Sequence, residues 1–132
     1  MKKLFSILAV MLVAVVLLSA CKKVDDRDKF IATYKITERE AGFPDEEYVI
    51  TITKSTANAD EVIISNLFSW LQPNMSFNAS VKGKRIVVYT QNYGGFVTCT
   101  ASGSLDGITL DMDAQLSYSG GSFNPKISGK KL

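Results

Sequence analysis

Hydrophobic and polar positions alternate with a period of two along most of this chain, the signature of strands with one buried face. Phe30, Ala32, Tyr34 and Ile36 share one face of a first strand, and Tyr48, Ile50 and Ile52 line a second opposite Thr51 and Thr53. Val62 to Ile64 make a short third. Met75, Phe77, Ala79 and Val81 then alternate with Ser76, Asn78, Ser80 and Lys82. A turn at Lys82-Gly83-Lys84 leads to a strand from Arg85 to Gln91, and a turn at Asn92 to Gly95 leads to one from Phe96 to Ser104. Asp106-Gly107 is a hairpin signal. Beyond it Ile108, Leu110, Met112, Ala114, Leu116 and Tyr118 alternate with polar partners, and Gly120-Gly121 turns into a last strand around Lys126 to Lys130. Eight strands joined mostly by short connections predict an all-β antiparallel meander. Each strand has one apolar face, so the sheet must close into a small barrel or fold over itself as a β-sandwich.

Two segments qualify this picture. Ser65-Asn66 precedes Leu67, Phe68, Trp70 and Leu71, and Pro73 ends the run; spacings of one, three and four predict a single capped helical turn. It holds the only tryptophan, either as a plug over one end of the core or as a hydrophobic lip that meets a ligand or partner. In the last strand, Lys126, Lys130 and Lys131 surround Ile127. Lysines there suit either an unpaired edge or the outward side of a closing strand.

The amino terminus follows another rule. Lys2 and Lys3 precede a nearly unbroken apolar run from Leu4 to Leu18, then Ser19, Ala20 and Cys21. Charged, apolar and small regions in that order make a secretory signal, and the run is shorter than the ~20 residues of a spanning helix. Leu18-Ser19-Ala20-Cys21 resembles the lipobox of bacterial lipoproteins. The resemblance implies cleavage before Cys21 and three acyl chains on that cysteine, enough for permanent anchoring, since one chain alone binds marginally. The division that follows is a signal peptide over residues 1–20, the lipidated Cys21 with a mobile charged tether over 21–28, and one β domain over 29–132. Lys22, not an aspartate, follows the cysteine, so the enteric inner-membrane retention signal is absent. The acids at Asp25, Asp26 and Asp28 resemble the export tag of Bacteroidota-type lipoproteins, which implies the cell outer membrane, with exposure at the surface. The strand layout resembles small lipocalin-like barrel lipoproteins, although Ala32-Thr33-Tyr34 stands where lipocalins carry Gly-x-Trp.

Removal of Lys2 and Lys3 leaves 13 basic against 13 acidic residues, so the net charge of +2 becomes zero. That balance, without a basic stripe, argues against nucleic acid as a partner.

Candidate chemistry is sparse. There is no histidine, which removes the commonest general base and the usual Ser-His and Cys-His pairs. No metal or cofactor motif is present. Asp106, Asp111 and Asp113 are the nearest approach to a constellation; Asp111 and Asp113 share a face with Thr109, Gln115 and Ser117, as in a solvated strand. Cys99, flanked by Val97 and Ala101 on its face, reads as a small buried hydrophobe. An acidic stretch from Glu38 to Glu47 encloses Phe43-Pro44 in the first long loop. Tyr93-Gly94-Gly95-Phe96 is echoed by Tyr118-Ser119-Gly120-Gly121-Ser122-Phe123, and aromatics at such turns rim an opening if the turns share one end. The candidate contact residues are therefore Phe43, Phe68, Trp70, Tyr93 and Tyr118. The expected function is that of a membrane-anchored, non-enzymatic lipoprotein that binds a small apolar ligand or an envelope component. The alternative is a protein-interaction accessory subunit or an enzyme inhibitor at the envelope.

Overall fold

The computed structural model describes residues 23–132; Cys21 and the signal segment lie outside the described residues. Nine strands follow in order: β1 (Ala32–Arg39), β2 (Glu46–Lys54), β3 (Glu61–Ser65), β4 (Ser76–Lys82), β5 (Arg85–Tyr93), β6 (Val97–Asp106), β7 (Thr109–Tyr118), β8 (Gly121–Phe123) and β9 (Lys126–Lys131). Each pairs antiparallel with its neighbour from β1 to β7, and β9 pairs with both β7 and β1. The sheet is thus a closed barrel, not a sandwich. It has eight staves, because β8 and β9 together form the last one. Asn124-Pro125 interrupts that stave, where Pro125 has no N–H to give but its carbonyl accepts from Ala114 N at 3.0 Å. Lys126 and Lys130 face out from a closing strand, Ile127 and Gly129 face in, and the half-buried Lys131 reaches over the Tyr34 ring to the Lys29 carbonyl.

The inward faces make one continuous core. Tyr34, Ile36, Ile50, Ile52, Ile64, Phe77, Ile86 and Leu110 are among its fully buried members. Burying each such side chain contributes roughly 1.5–3 kcal/mol. An eight-stranded barrel is just wide enough for side chains or one small ligand, and here large side chains occupy it. Two inward positions carry glycine because the wall comes too close for anything else. A Cβ on Gly103 would lie 2.0 Å from the Asp111 carbonyl oxygen, and one on Gly129 would lie 2.5 Å from Ile36 Cδ1.

A meander alternates its connections between two ends. At one end lie the turns 55–60, 83–84 and 107–108, together with residues 25–30. Asp25 to Asp28, expected within a mobile tether, are instead docked. Asp25 caps a 3-10 turn (Asp26–Lys29). Arg27 donates to the carbonyls of Ser55 and Asn58 at 3.1 Å, and Gly83 N donates to Asp26 at 2.8 Å. Lys54 pairs with Asp25 and Asp28. The physical reason is charge complementarity: the tether's acids meet Lys54 and the Gly83 backbone N–H, and its arginine meets loop carbonyls. Phe30 then seals this end, its carbonyl accepting from the Tyr34 hydroxyl at 2.9 Å.

At the other end lie the loops 40–45, 66–75, 94–96 and 119–120. The expected turn in the second of these forms only from Phe68, whose carbonyl accepts from Leu71 N at 3.0 Å and Gln72 N at 3.4 Å, and it does not amount to a helix starting at Leu67. Asn66 and Phe68 adopt φ of 70° and 56°, in the left-handed region that a right-handed helix cannot use. Asn66 tolerates this conformation and anchors the loop base, donating to Val49 O at 2.8 Å and accepting from Asn74 N at 3.3 Å. Leu67 and Phe68 are fully buried, so part of this loop is a plug.

A candidate functional site at the loop end

Three of the five predicted contact residues come together around one that the sequence did not single out. Phe123 lies 5.0 Å from Phe43 and 5.4 Å from Trp70, centroid to centroid and edge-on to both, and stacks on Tyr118 at 5.5 Å. These residues come from the 40–45 loop, the 66–75 loop, the end of β7 and β8. The other two lie in a separate row. Phe68 is buried against Phe77 at 6.1 Å, and Tyr93 bridges Phe77 and Phe96 at 6.1 and 6.4 Å. The two glycine turns do share one end of the barrel, but only Tyr118 reaches the cluster around Phe123.

Beside Phe123 is a small pocket of about 80 Å³ lined by Glu38, Glu40, Phe43, Pro44, Glu46, Trp70 and Phe123. Its aromatic walls are partly open to solvent: Phe43 is 56% exposed and Trp70 37%. Its floor is acidic. Tyr34 and Ile36 point inward, and the same alternation carries Glu38 inward too, leaving it only 5% exposed. Its carboxylate accepts from the Tyr48 hydroxyl at 2.6 Å and the Trp70 indole N–H at 3.0 Å. Burial pushes the Glu38 carboxyl above the ordinary range, and the negative charges of Glu46 and Glu40 push the same way against those two hydrogen bonds. Tyr48 is raised in turn, by burial first and by Glu38 second. Glu40 Oε1 accepts from Asn124 N at 3.0 Å, whereas its Oε2 is buried without a donor.

The remaining candidates are ordinary surface or core. Asp106 and Asp113 pair loosely with Lys84 and Lys126 at 3.5 and 3.9 Å, and Asp111 is likewise exposed on the outer face. A broader groove of about 520 Å³ lies beside Asp111, Asp113 and Lys126, half open to solvent and lined mostly by polar side chains, with the buried Met112 and Ile127 also in its lining. Cys99 is fully buried, and burial pushes its thiol up to about 12. Among the described residues no three His, Cys, Asp or Glu side chains are placed to hold a metal ion.

No family model and no curated protein matches the sequence. Among solved structures, the chain is similar to a protein named EF1p2_mFAP2b, solved bound to DFHBI. The TM-score is 0.58 at 9% identity, over 83% of this chain and 100% of that one. It is also similar to a redesigned β-barrel, with a TM-score of 0.56 at 11% identity over 84% of this chain and 98% of that one. At such identities the likeness concerns the fold alone.

Proposed function

We propose that this chain is a membrane-anchored, non-enzymatic binding protein that engages its ligand at the loop end of the barrel. One observation carries the reading: side chains fill the barrel interior, while Phe43, Trp70 and Phe123 surround a pocket at the mouth. The expectation of a small apolar ligand is thereby moved from the barrel lumen to its rim. Binding of DFHBI by one barrel of similar fold is compatible with this use of the architecture, and function belongs to the site, not the fold. Anchoring rests on the lipobox resemblance at Cys21, and an outer-membrane location on the residues that follow it. The lack of histidine and the outward placement of Asp106, Asp111 and Asp113 support a non-catalytic role.

A protein-interaction accessory is the second reading, favoured by the exposure of Phe43 beside Pro44 on the same rim. Native mass spectrometry of the lipidated protein, extracted gently from its own membrane, separates the two. A retained mass of a few hundred daltons that is lost in a Phe43→Ser, Phe123→Ser variant establishes a small-molecule binder at the loop end. A stoichiometric protein partner that is lost in the same variant establishes the accessory. Retention of either mass by the variant overturns the loop end as the site. The anchor has its own test: the amino-terminal peptide of the mature protein should begin at Cys21 with acyl mass, and Cys21→Ala should release the protein from membranes.

A further inference from the structure

The loop-end pocket concentrates negative charge that no basic side chain neutralises among the described residues. Glu38 and Glu46 face each other directly across β1 and β2, an arrangement in which like charges repel. Glu40 lines the same pocket. The acids on either side of Glu46 have partners: Asp45 lies 3.0 Å from Arg39, and Glu47 lies 3.5 Å from Lys35. Among the described residues Glu38, Glu40 and Glu46 have no basic partner, and no lysine or arginine lines the pocket. The chain treats its other buried carboxylate differently. Glu61, at the opposite end, accepts from Ser55, Asn58 and Tyr89, whereas Glu40 keeps one buried oxygen with no donor at all.

The walls say what would meet that charge. Phe43 and Trp70 stand steeply inclined to Phe123, at interplanar angles of 73° and 88°, and all three rings line the pocket. Aromatic faces attract a cation within ~6 Å, most strongly a weakly hydrated one. The three carboxylates are not placed to ligate a metal ion. A volume of about 80 Å³ suits a small head group.

We infer that the pocket bounded by Phe43, Trp70 and Phe123 over Glu38, Glu40 and Glu46 binds an organic ammonium head group. This rests on the loop-end reading above and names the ligand's chemistry. The pocket opens at the end opposite Asp25–Lys29, where the chain arrives from Cys21. The head group therefore belongs to a free solute, not to a lipid of the membrane that carries the protein.

Trp70 is the only tryptophan and forms one wall, so its fluorescence reads the site directly. The full chain is titrated with choline chloride, with sodium chloride at matched ionic strength, and with 3,3-dimethylbutan-1-ol, the uncharged carbon isostere of choline. Cholinium should give a saturable change, with the isostere binding at least about tenfold more weakly. Glu40→Gln should weaken cholinium about tenfold and leave the isostere unchanged. Phe43→Leu, at an exposed position where folding is not at risk, should weaken cholinium selectively by removing a ring face while keeping apolar bulk. Equal responses to cholinium and the isostere overturn the ammonium assignment and leave the loop-end reading standing. No response to either also overturns it, and the mass-spectrometric variant then decides whether the loop-end reading falls as well. Sedimentation with phosphatidylcholine vesicles that depends on Phe43 overturns the free solute in favour of a lipid head group.

Discussion

The indole N–H of Trp70 donates to the Glu38 carboxylate at 3.0 Å, across 32 residues of sequence. This bond ties the 66–75 loop to β1 and fixes one wall of the pocket over its floor. Trp70→Phe keeps a ring beside Phe123 but leaves a buried carboxylate oxygen without its donor. The expected loss is about 1.5–3 kcal/mol. For a domain of this size it should lower the melting temperature by several degrees, since ~1 kcal/mol shifts Tm by roughly 4–8 °C.

Glu38 and Glu61 should give stability opposite dependences on pH. The Glu38 carboxyl lies above its ordinary 4.5 in the folded protein, chiefly through burial. Between that value and the raised one the folded state holds more protons than the unfolded state, so stability falls as pH rises through the window. The Glu61 carboxyl lies below 4.5, chiefly through its hydrogen bond from Tyr89. Its contribution is complete above 4.5 and is lost as pH falls through the lowered folded value. Urea midpoints measured from about pH 4 to pH 8 should show Glu38→Gln gaining on the wild type as pH rises. Over the same range Glu61→Gln should lose ground.

Gly103 and Gly129 both face inward, but a methyl group at each meets a different obstacle. At Gly103 the obstacle is backbone, the Asp111 carbonyl oxygen, which cannot move without breaking the β6–β7 ladder. At Gly129 it is the far end of the Ile36 side chain, which can change rotamer. Gly129→Ala should cost about 1–2 kcal/mol, and Gly103→Ala more than about 3 kcal/mol. Equal thermal shifts in the two variants would mean that the wall at Gly103 yields more easily than its geometry implies.

Cys99 should be inert in the native state. Its thiol is fully buried and raised to about 12 by loss of solvent, and the thiolate is the reactive form. Iodoacetamide at about pH 8 should modify Cys99 only as fast as the barrel opens. The labelling rate in dilute urea therefore reports opening of the barrel at β6. Rapid modification of the folded protein would contradict the burial of this face.

The staves were legible in the sequence wherever alternation ran unbroken, as from Met75 to Lys82 and from Ile108 to Tyr118. The same rhythm also held the floor of the pocket. Continuing Tyr34 and Ile36 by two residues puts Glu38 on the inward face, opposite Glu46, but its place in an acidic run made it look like loop. The turn at Phe68 to Gln72 was legible but its start was not, because apolar spacing cannot report backbone handedness, and Asn66 and Phe68 are left-handed. Phe123 stayed hidden for a different reason. Tyr118 is its hairpin neighbour, but Phe43 and Trp70 arrive on two distant loops, and only closure of the sheet brings those to it. Whether Lys126 to Lys131 formed an edge or a seam was equally undecidable from alternation, since the outward face is identical in both.

The seam between β1 and β9 has a consequence for how the chain reaches this fold. Tyr34 pairs with Lys131, and Thr109 with Lys130, so the final strand joins the first strand to the seventh at once. Until residues 126–131 are available, β1 and β7 both present unpaired hydrogen-bonding edges, the kind of surface that recruits other chains. Contacts this distant in sequence form late and slowly. A chain emerging amino-terminus first from the ribosome lacks its seam until residues 126–131 are made, so the hazard of aggregation is concentrated in the interval before they arrive.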